Sequence, residues 1–540
     1  MPDRGQALRV AGASILVASL LASCSGGDSD KPARSTTTVA RATGKPVDGG
    51  VLRLGLAGDL RPDPATASLG SPSDLLVLDL LHDGLTRLDD DGVAQPAVAA
   101  SWTPDAALTT WTFTLDPKAS FASGRTLTSA DVIASLERVA KGGDASLAAL
   151  RLEAITGFRA FVDGQAEHIA GLTAPDPATV QVQLDTPLAV LPVILASPVF
   201  GVVDVASLDE ATSPKGDLAD LDLGGSWELD SAEDGSVDLT RRDGADGHLD
   251  GVELRTYDDA DEAYDAFDDG KVDWALVPPD RYGDAVDDHG DDAFTPFHAE
   301  LFFGLRVASP NLAATGMRQA IAAAIDPAAI VRAVYADLAE PLSTVVPEGV
   351  PGRADDPCPT CGHDVARARS LVAATFPGGQ VPTVAIDYDQ SRAQEAMAKI
   401  VAEDLQDAGI PTQLRPKPLA EYKAFVVSGA QELFSFGWIG GYGSPDAYLA
   451  PLFGSAANDN LTGFGAPAVD LELAAARAAT DPAVARQHWL AVESLVLSEA
   501  VVVPIAQFRT QAVVGERVGG FSAAVDGTVD WAQVWVADGA

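Results

Sequence analysis

The chain has 540 residues, too many for one ordinary hydrophobic core, so two or three domains are expected. A 47% hydrophobic share and eight tryptophans exclude a disordered chain. A formal net charge of -42 and a pI near 4.2 argue against nucleic acid as a partner, because phosphates would be repelled. Aspartate pairs such as Asp258-Asp259, Asp268-Asp269 and Asp287-Asp288 read as a solvated acidic face. Calcium is the sharper alternative, but no loop carries the D-x-D-x-D-G spacing of an EF-hand.

The N-terminus is specific. Arg4 and Arg9 precede a short apolar run, Ala11 to Leu21, and then Ala22-Ser23-Cys24. A basic start, a short apolar core and small residues describe a secretory signal over 1–23, too short to span a membrane comfortably. Leu-Ala-Ser-Cys resembles a bacterial lipobox, which would make Cys24 the lipidated first residue of the mature protein. Residues 24–49, rich in Ser, Thr, Gly and charge, read as a flexible tether. No later segment is long and apolar enough to cross a bilayer, so the anchor is expected to be lipid only.

Gly50 to Leu56 alternates like a half-buried strand. Asp59 to Ala65 reads as a loop, Asp74 to His82 as an apolar helix, and Leu85 to Leu88 as a strand. Trp111 to Leu115 alternates again. Thr128 with Asp131 three residues on predicts a capped helix running through Val139. Gly251 to Arg255, Glu262 to Phe267 and Gly270 to Ala275 form a strand–helix–strand unit. Met317 to Asp326 reads as a core helix. Cys358 and Cys361 sit in Pro-Cys-Pro-Thr-Cys, where an exported chain favours a disulfide. A zinc pair would need two more ligands, and His363 is one candidate at most. A thioredoxin-like site would want a helix at the first cysteine, which Pro359 opposes. Val384 to Tyr388 and Pro411 to Leu414 read as strands around a helix from Ala393 to Ala408, an α/β alternation. Asp481 starts a helix that runs through Glu499.

The most informative stretch is Leu433 to Phe453, LFSFGWIGGYGSPDAYLAPLF. Leu433 to Phe436 predicts a buried strand. Gly437, Gly440, Gly441 and Gly443 then break it, with Trp438 and Tyr442 between them. Ser444-Pro445-Asp446 predicts a helix start, with Ser444 as the cap. Glycines allow close backbone approach and the aromatics offer flat apolar surface, so the loop reads either as a tight turn or as a ligand surface.

Several blocks resemble family 5 solute-binding proteins, the extracytoplasmic receptors of peptide and nickel ABC importers. Phe121 to Val132 resembles F-x-D-G-x-P-L-T-A-E-D-V, with Ser123 for the aspartate and Thr126 for the proline. Met317 to Asp326 resembles the family's V-R-Q-A-(x)4-I-D helix. Gly463-Phe464-Gly465 and Pro467 to Asp470 resemble N-x-x-G-Y-x-N-P-E-V-D, with Asn460 as its first asparagine. The blocks run in family order from about residue 50 to 535.

The resemblance implies an α/β, bilobal periplasmic-binding-protein-like fold with an extra inserted domain. By analogy, 50–83, 195–300 and 500–540 form the first lobe, 84–194 the inserted domain and 301–499 the second lobe. Hinge crossings are expected near Phe302–Arg306 and Pro504–Phe508. It implies a receptor that closes on solute and docks on a permease driven by a separate ATPase, with no cofactor and no metal, as a monomer. The family's G-W-x-x-D-Y-x-D-P loop supplies an aspartate for a peptide's α-ammonium. Gly437, Trp438, Tyr442 and Pro445 match it here. The ammonium-binding aspartate falls on Gly441, and the second aspartate on Ser444. Asp446 is the nearest acid.

Expected cleft residues are therefore Trp438, Gly441, Tyr442 and Asp446, with Asp59 and His82 from the other lobe. Oligopeptide is the default ligand; a nickel chelate, sugar or opine, or a sensor or enzyme on the same scaffold, remain open alternatives. No histidines pair at i,i+4, and there is no G-x-S-x-G elbow or P-loop lysine motif.

Overall fold

In a computed structural model, the described residues are 44–67, 71–89, 92–142, 150–205, 221–233, 235–355, 358, 362–524 and 527–537. The signal segment, Cys24 and Cys361 lie outside them. The described chain divides into two compact units. A terminal unit takes the residues through Thr295, Gly441–Gly443, and those from Thr510 onward. A central unit takes Pro296–Gly440 and Ser444–Arg509.

The terminal unit is built on a six-stranded mixed sheet. Its strand order is Ala512–Val514, Trp274–Leu276, Val51–Ala57, Gly251–Tyr257, Ser236–Arg241, Trp227–Glu233. Val51–Ala57 runs parallel to both neighbours. Its Leu52, Leu54 and Leu56 are buried in the core with Val252, Leu254 and Trp274. The predicted strand–helix–strand unit is present: Ala260–Asp268 carries the chain from one flank of the central strand to the other. Asp259 caps that helix by accepting from the Glu262 N–H at 3.0 Å. The sheet is pinned by Asp273. Its carboxylate takes Arg53 at 2.8 and 2.9 Å and Arg517 at 2.6 and 2.8 Å, joining the first strand to the C-terminal segment.

A separate four-stranded antiparallel sheet has the order Ala99–Pro104, Thr110–Leu115, Thr179–Gln183, Leu172–Asp176. Helix Ser129–Lys141 begins as predicted, with the Thr128 N–H donating to Asp131 at 2.8 Å.

The central unit holds a second six-stranded sheet. Its order is Ala339–Pro341, Val502–Arg509, Pro296–Leu305, Leu433–Ile439, Val384–Asp389, Thr412–Lys417. Two expectations need correction. Phe302–Arg306 and Pro504–Phe508 are not crossings between units: Phe302 pairs with Pro504 inside this sheet, and the chain changes unit after Thr295 and Arg509. Phe302–Leu305 and Pro504–Phe508 lie in paired strands of this sheet, which hold their backbone in the ladder. The strand opening the glycine stretch also runs past Phe436 to Ile439, because Gly437 and Trp438 pair with Leu301 and Glu300.

The helix Thr315–Ala324 is structural, as its pattern suggests. Arg318 is 4% exposed. Its guanidinium donates to the carbonyls of Leu312, Ala313 and Glu499 and to the Glu499 carboxylate. It ties a loop to the end of helix Pro482–Ser498.

Candidate functional site

The glycine stretch is placed by the most buried strand pair of the central unit. On one sheet face, Phe434, Phe436 and Trp438 oppose Gly304, Phe302 and Glu300. Gly304 is required there, since a side chain would collide with the Phe434 ring. The Phe302 and Phe436 rings lie 5.4 Å apart. Trp438 is 7% exposed, and its indole N–H donates to the Ala447 carbonyl at 2.8 Å. The indole therefore ties the strand to the next helix.

That helix is Asp446–Phe453, with Pro445 rather than Ser444 at the cap. Ser444 sits one residue further out, and its hydroxyl accepts from the Asp446 N–H at 3.3 Å. Asp446 is 1% exposed, and both its carboxylate oxygens meet Arg477.

Between strand and helix, Gly440 is clasped by His298. The Gly440 N–H donates to the His298 carbonyl at 3.0 Å, and His298 Nδ1 donates to the Gly440 carbonyl at 3.1 Å. A side chain at 440 would strike the Tyr448 hydroxyl. Tyr442 is buried. Gly441–Gly443 group with the terminal unit, where a side chain at 441 would run into the Arg151 guanidinium, itself in the turn Leu150–Leu152.

The two residues expected from the terminal unit are apart in character. Asp59 is exposed in a bend. His82 is 3% exposed at the end of helix Pro72–Leu81, and its Nε2 donates to the Pro62 carbonyl at 2.8 Å. Burial holds its pKa below the usual histidine value. The adjacent Asp63 is fully buried and paired with Arg138.

Sequence reasoning missed Glu300. It is completely buried, with the Tyr448 hydroxyl beside its carboxyl. Burial pushes its pKa well above the usual carboxylate range, and the nearby Tyr448 hydroxyl pulls it the other way. The signal was available: one acid in the apolar run Phe297 to Leu305. Among the described residues no cluster of three His, Cys, Asp or Glu could hold a metal ion, and no helix is long and apolar enough to cross a membrane.

Residues 93–460 match the family model described as the middle region of bacterial extracellular solute-binding proteins, family 5. The chain belongs to family 5 of the bacterial extracellular solute-binding proteins. This family 5 chain is 25% identical over 481 residues to the periplasmic murein peptide-binding protein MppA of Escherichia coli K12, covering 85% of this chain and 88% of that one. It is 23% identical over 461 residues to the glutathione-binding protein GsiB of the same strain, covering 82% and 86%. Its fold is similar to that of MppA in an unliganded open form, with a TM-score of 0.78 and 21% identity over 91% of this chain and 98% of that one. HbpA2 from Haemophilus parasuis matches with a TM-score of 0.77 and 18% identity over 90% and 100%. The α/β solute-binding fold and the extracytoplasmic class are thereby shown.

Proposed function

We propose that this family 5 protein is the solute receptor of an ABC importer, that its solute is a short peptide, and that it delivers it to a membrane permease powered by a separate ATPase. One observation carries the peptide reading. Over four-fifths of the chain aligns with two receptors whose names specify a murein peptide and glutathione, itself a short peptide. Affinity in such receptors comes from burying a ligand in a largely apolar site with a few placed polar groups. The loop at Trp438, Gly441 and Tyr442 is the segment we assign to the ligand. Asp59 and His82 are weaker members of the same assignment, and Asp446 supports the loop through Arg477.

We further assign a lipid on Cys24 as the membrane anchor, a Cys358–Cys361 disulfide, a monomer, and an inserted domain at 84–194 within a first lobe of 50–83, 195–295 and 510–540, with 296–509 apart from Gly441–Gly443 as the second lobe. A second reading, a non-peptide solute such as a nickel chelate, sugar or opine, is favoured by one feature. Gly441 stands where the resemblance calls for an ammonium-binding acid.

Native mass spectrometry of the full chain from host extract, with bound molecules identified after denaturation, tests the two. A ladder of short peptides supports the first. A single non-peptide solute overturns it in favour of the second.

A further inference from the structure

The central unit holds a cavity of about 190 Å³ among three of its helices. Gln319 and Ala322 come from Thr315–Ala324, and Arg367 and Leu371 from Val365–Thr375. Leu497 and Ser498 come from the end of Pro482–Ser498, with Ala500 just beyond it. None of these residues belongs to the glycine loop. Ala322, Leu371, Leu497 and Ala500 make an apolar wall. Ala500 has a φ of 49°. Its N–H donates to the Leu497 carbonyl at 3.0 Å and the Val501 N–H to the Val496 carbonyl at 3.4 Å, a helix ending at which glycine is the usual residue. An alanine here accepts a strained backbone and keeps a methyl on the wall. The polar lining is partly spent. Gln319 Nε2 donates to the Ser498 carbonyl at 2.8 Å, which fixes the amide and leaves its oxygen without a donor among the described residues. The Ser498 hydroxyl donates to the Leu495 carbonyl at 3.0 Å, so its oxygen is also left as an acceptor. Arg367 Nη2 donates to the Gly362 carbonyl at 2.7 Å, and Nε has no partner among the described residues. The neighbouring Asp364 accepts from the Arg367 backbone N–H rather than from the guanidinium.

We propose that this cavity binds a free aliphatic α-amino acid of about the size of valine. The carboxylate pairs with the Arg367 guanidinium, the ammonium donates to the Gln319 and Ser498 oxygens, and the side chain lies on the apolar wall. The volume suits it: at the ~30 Å³ that one liquid water claims, the cavity holds about six to eight non-hydrogen atoms. Charge selects as well. The chain carries a net charge of -42, which repels a simple anion, whereas a zwitterion brings a carboxylate to Arg367 without net charge. A simple amine lacks the group that Arg367 selects. This is a second binding site, and it does not depend on the identity of the transported solute.

Calorimetry of the full chain with L-valine, isovalerate and isobutylamine tests this. Isovalerate is valine without its ammonium, and isobutylamine is valine without its carboxylate. The wild type is compared with Arg367→Gln, which removes the cation, and with Ala322→Leu, which fills the cavity. Circular dichroism confirms that each variant is folded; should Ala322→Leu not fold, Arg367→Gln decides alone. The wild type is expected to bind valine at least about tenfold more tightly than either analogue, and each variant to lose about tenfold or more of the valine affinity. A wild type that does not bind valine overturns the proposal. An analogue that binds as tightly as valine overturns the amino-acid assignment. Valine binding that a folded variant keeps in full puts valine elsewhere on the chain and overturns the site.

Discussion

The Arg477 guanidinium grips both oxygens of Asp446, Nε at 2.6 Å and Nη2 at 3.1 Å. Asp446 opens the helix after the glycine loop, and Arg477 ends the helix Pro467–Arg477. The pair fixes the loop's far end to a second helix. Asp446→Asn should therefore cost about 2 kcal/mol of stability and leave ligand affinity within about threefold. Denaturant unfolding and calorimetry on one preparation check this. A large loss of affinity with unchanged stability would return Asp446 to the ligand.

Gly441 leads to a second prediction. A side chain there would meet the Arg151 guanidinium. Gly441→Asp alone should not strengthen the binding of free-amine peptides, because the new carboxylate would pair with Arg151 instead. The double change Gly441→Asp with Arg151→Ala should bind free-amine peptides about tenfold more tightly than Arg151→Ala alone. Thermal shift with amine and N-acetylated peptides reads the difference. A gain from Gly441→Asp alone would show that Arg151 does not govern this position.

Most elements were legible because their signals are local. Alternation marked Val51–Ala57 and Thr110–Leu115, and Thr128 with Asp131 marked a helix start. Helix Arg392–Asp407 followed from its periodicity. The site was less legible because its decisive neighbours are distant in sequence. Nothing near Glu300 says that Gln507 and Trp438 will flank it without donating. Nothing near Gly441 says that Arg151 will face it. Trp438 looked like a loop aromatic because Gly437 looked like a break, yet the backbone pairing with Pro296–Leu305 carries the strand through both. The choice between Ser444 and Pro445 as cap lies within the one-residue ambiguity of helix ends.

Acid sensitivity of the terminal unit should centre on Asp273. Burial alone would raise its pKa, but hydrogen bonds from Arg517 and Arg53 hold it down at about 2. A carboxylate whose folded pKa lies below its unfolded value of about 3.9 stabilises the fold above that value. The contribution is lost as pH falls from there through about 2. Asp273→Asn should cost about 2–3 kcal/mol at pH 7, and the gap to wild type should close as the pH approaches 2. Denaturant melts across this range check it. A gap independent of pH would mean that the loss comes from packing rather than from the charge.

Glu300 should show the opposite sign. Its folded pKa is raised by burial, with Tyr448 opposing. The titratable groups on this part of the sheet are His298 from its own strand and Tyr448 from helix Asp446–Phe453, while Trp438 and Gln507 on the flanking strands are uncharged. Below the unfolded carboxylate pKa of about 4.3, both states hold the proton and the group costs nothing through titration. As pH rises above that value the unfolded chain releases the proton while the folded chain keeps it, so stability falls with pH. Glu300→Gln removes this penalty. Without added peptide it should be more stable than the wild type at pH 7 by about 1–3 kcal/mol, and the difference should shrink below about pH 4. Parallel denaturant titrations at the two pH values measure it. A wild type that is the more stable form at pH 7 would mean that neighbours such as the Tyr448 hydroxyl hold the Glu300 carboxylate in its ionised form in the folded protein.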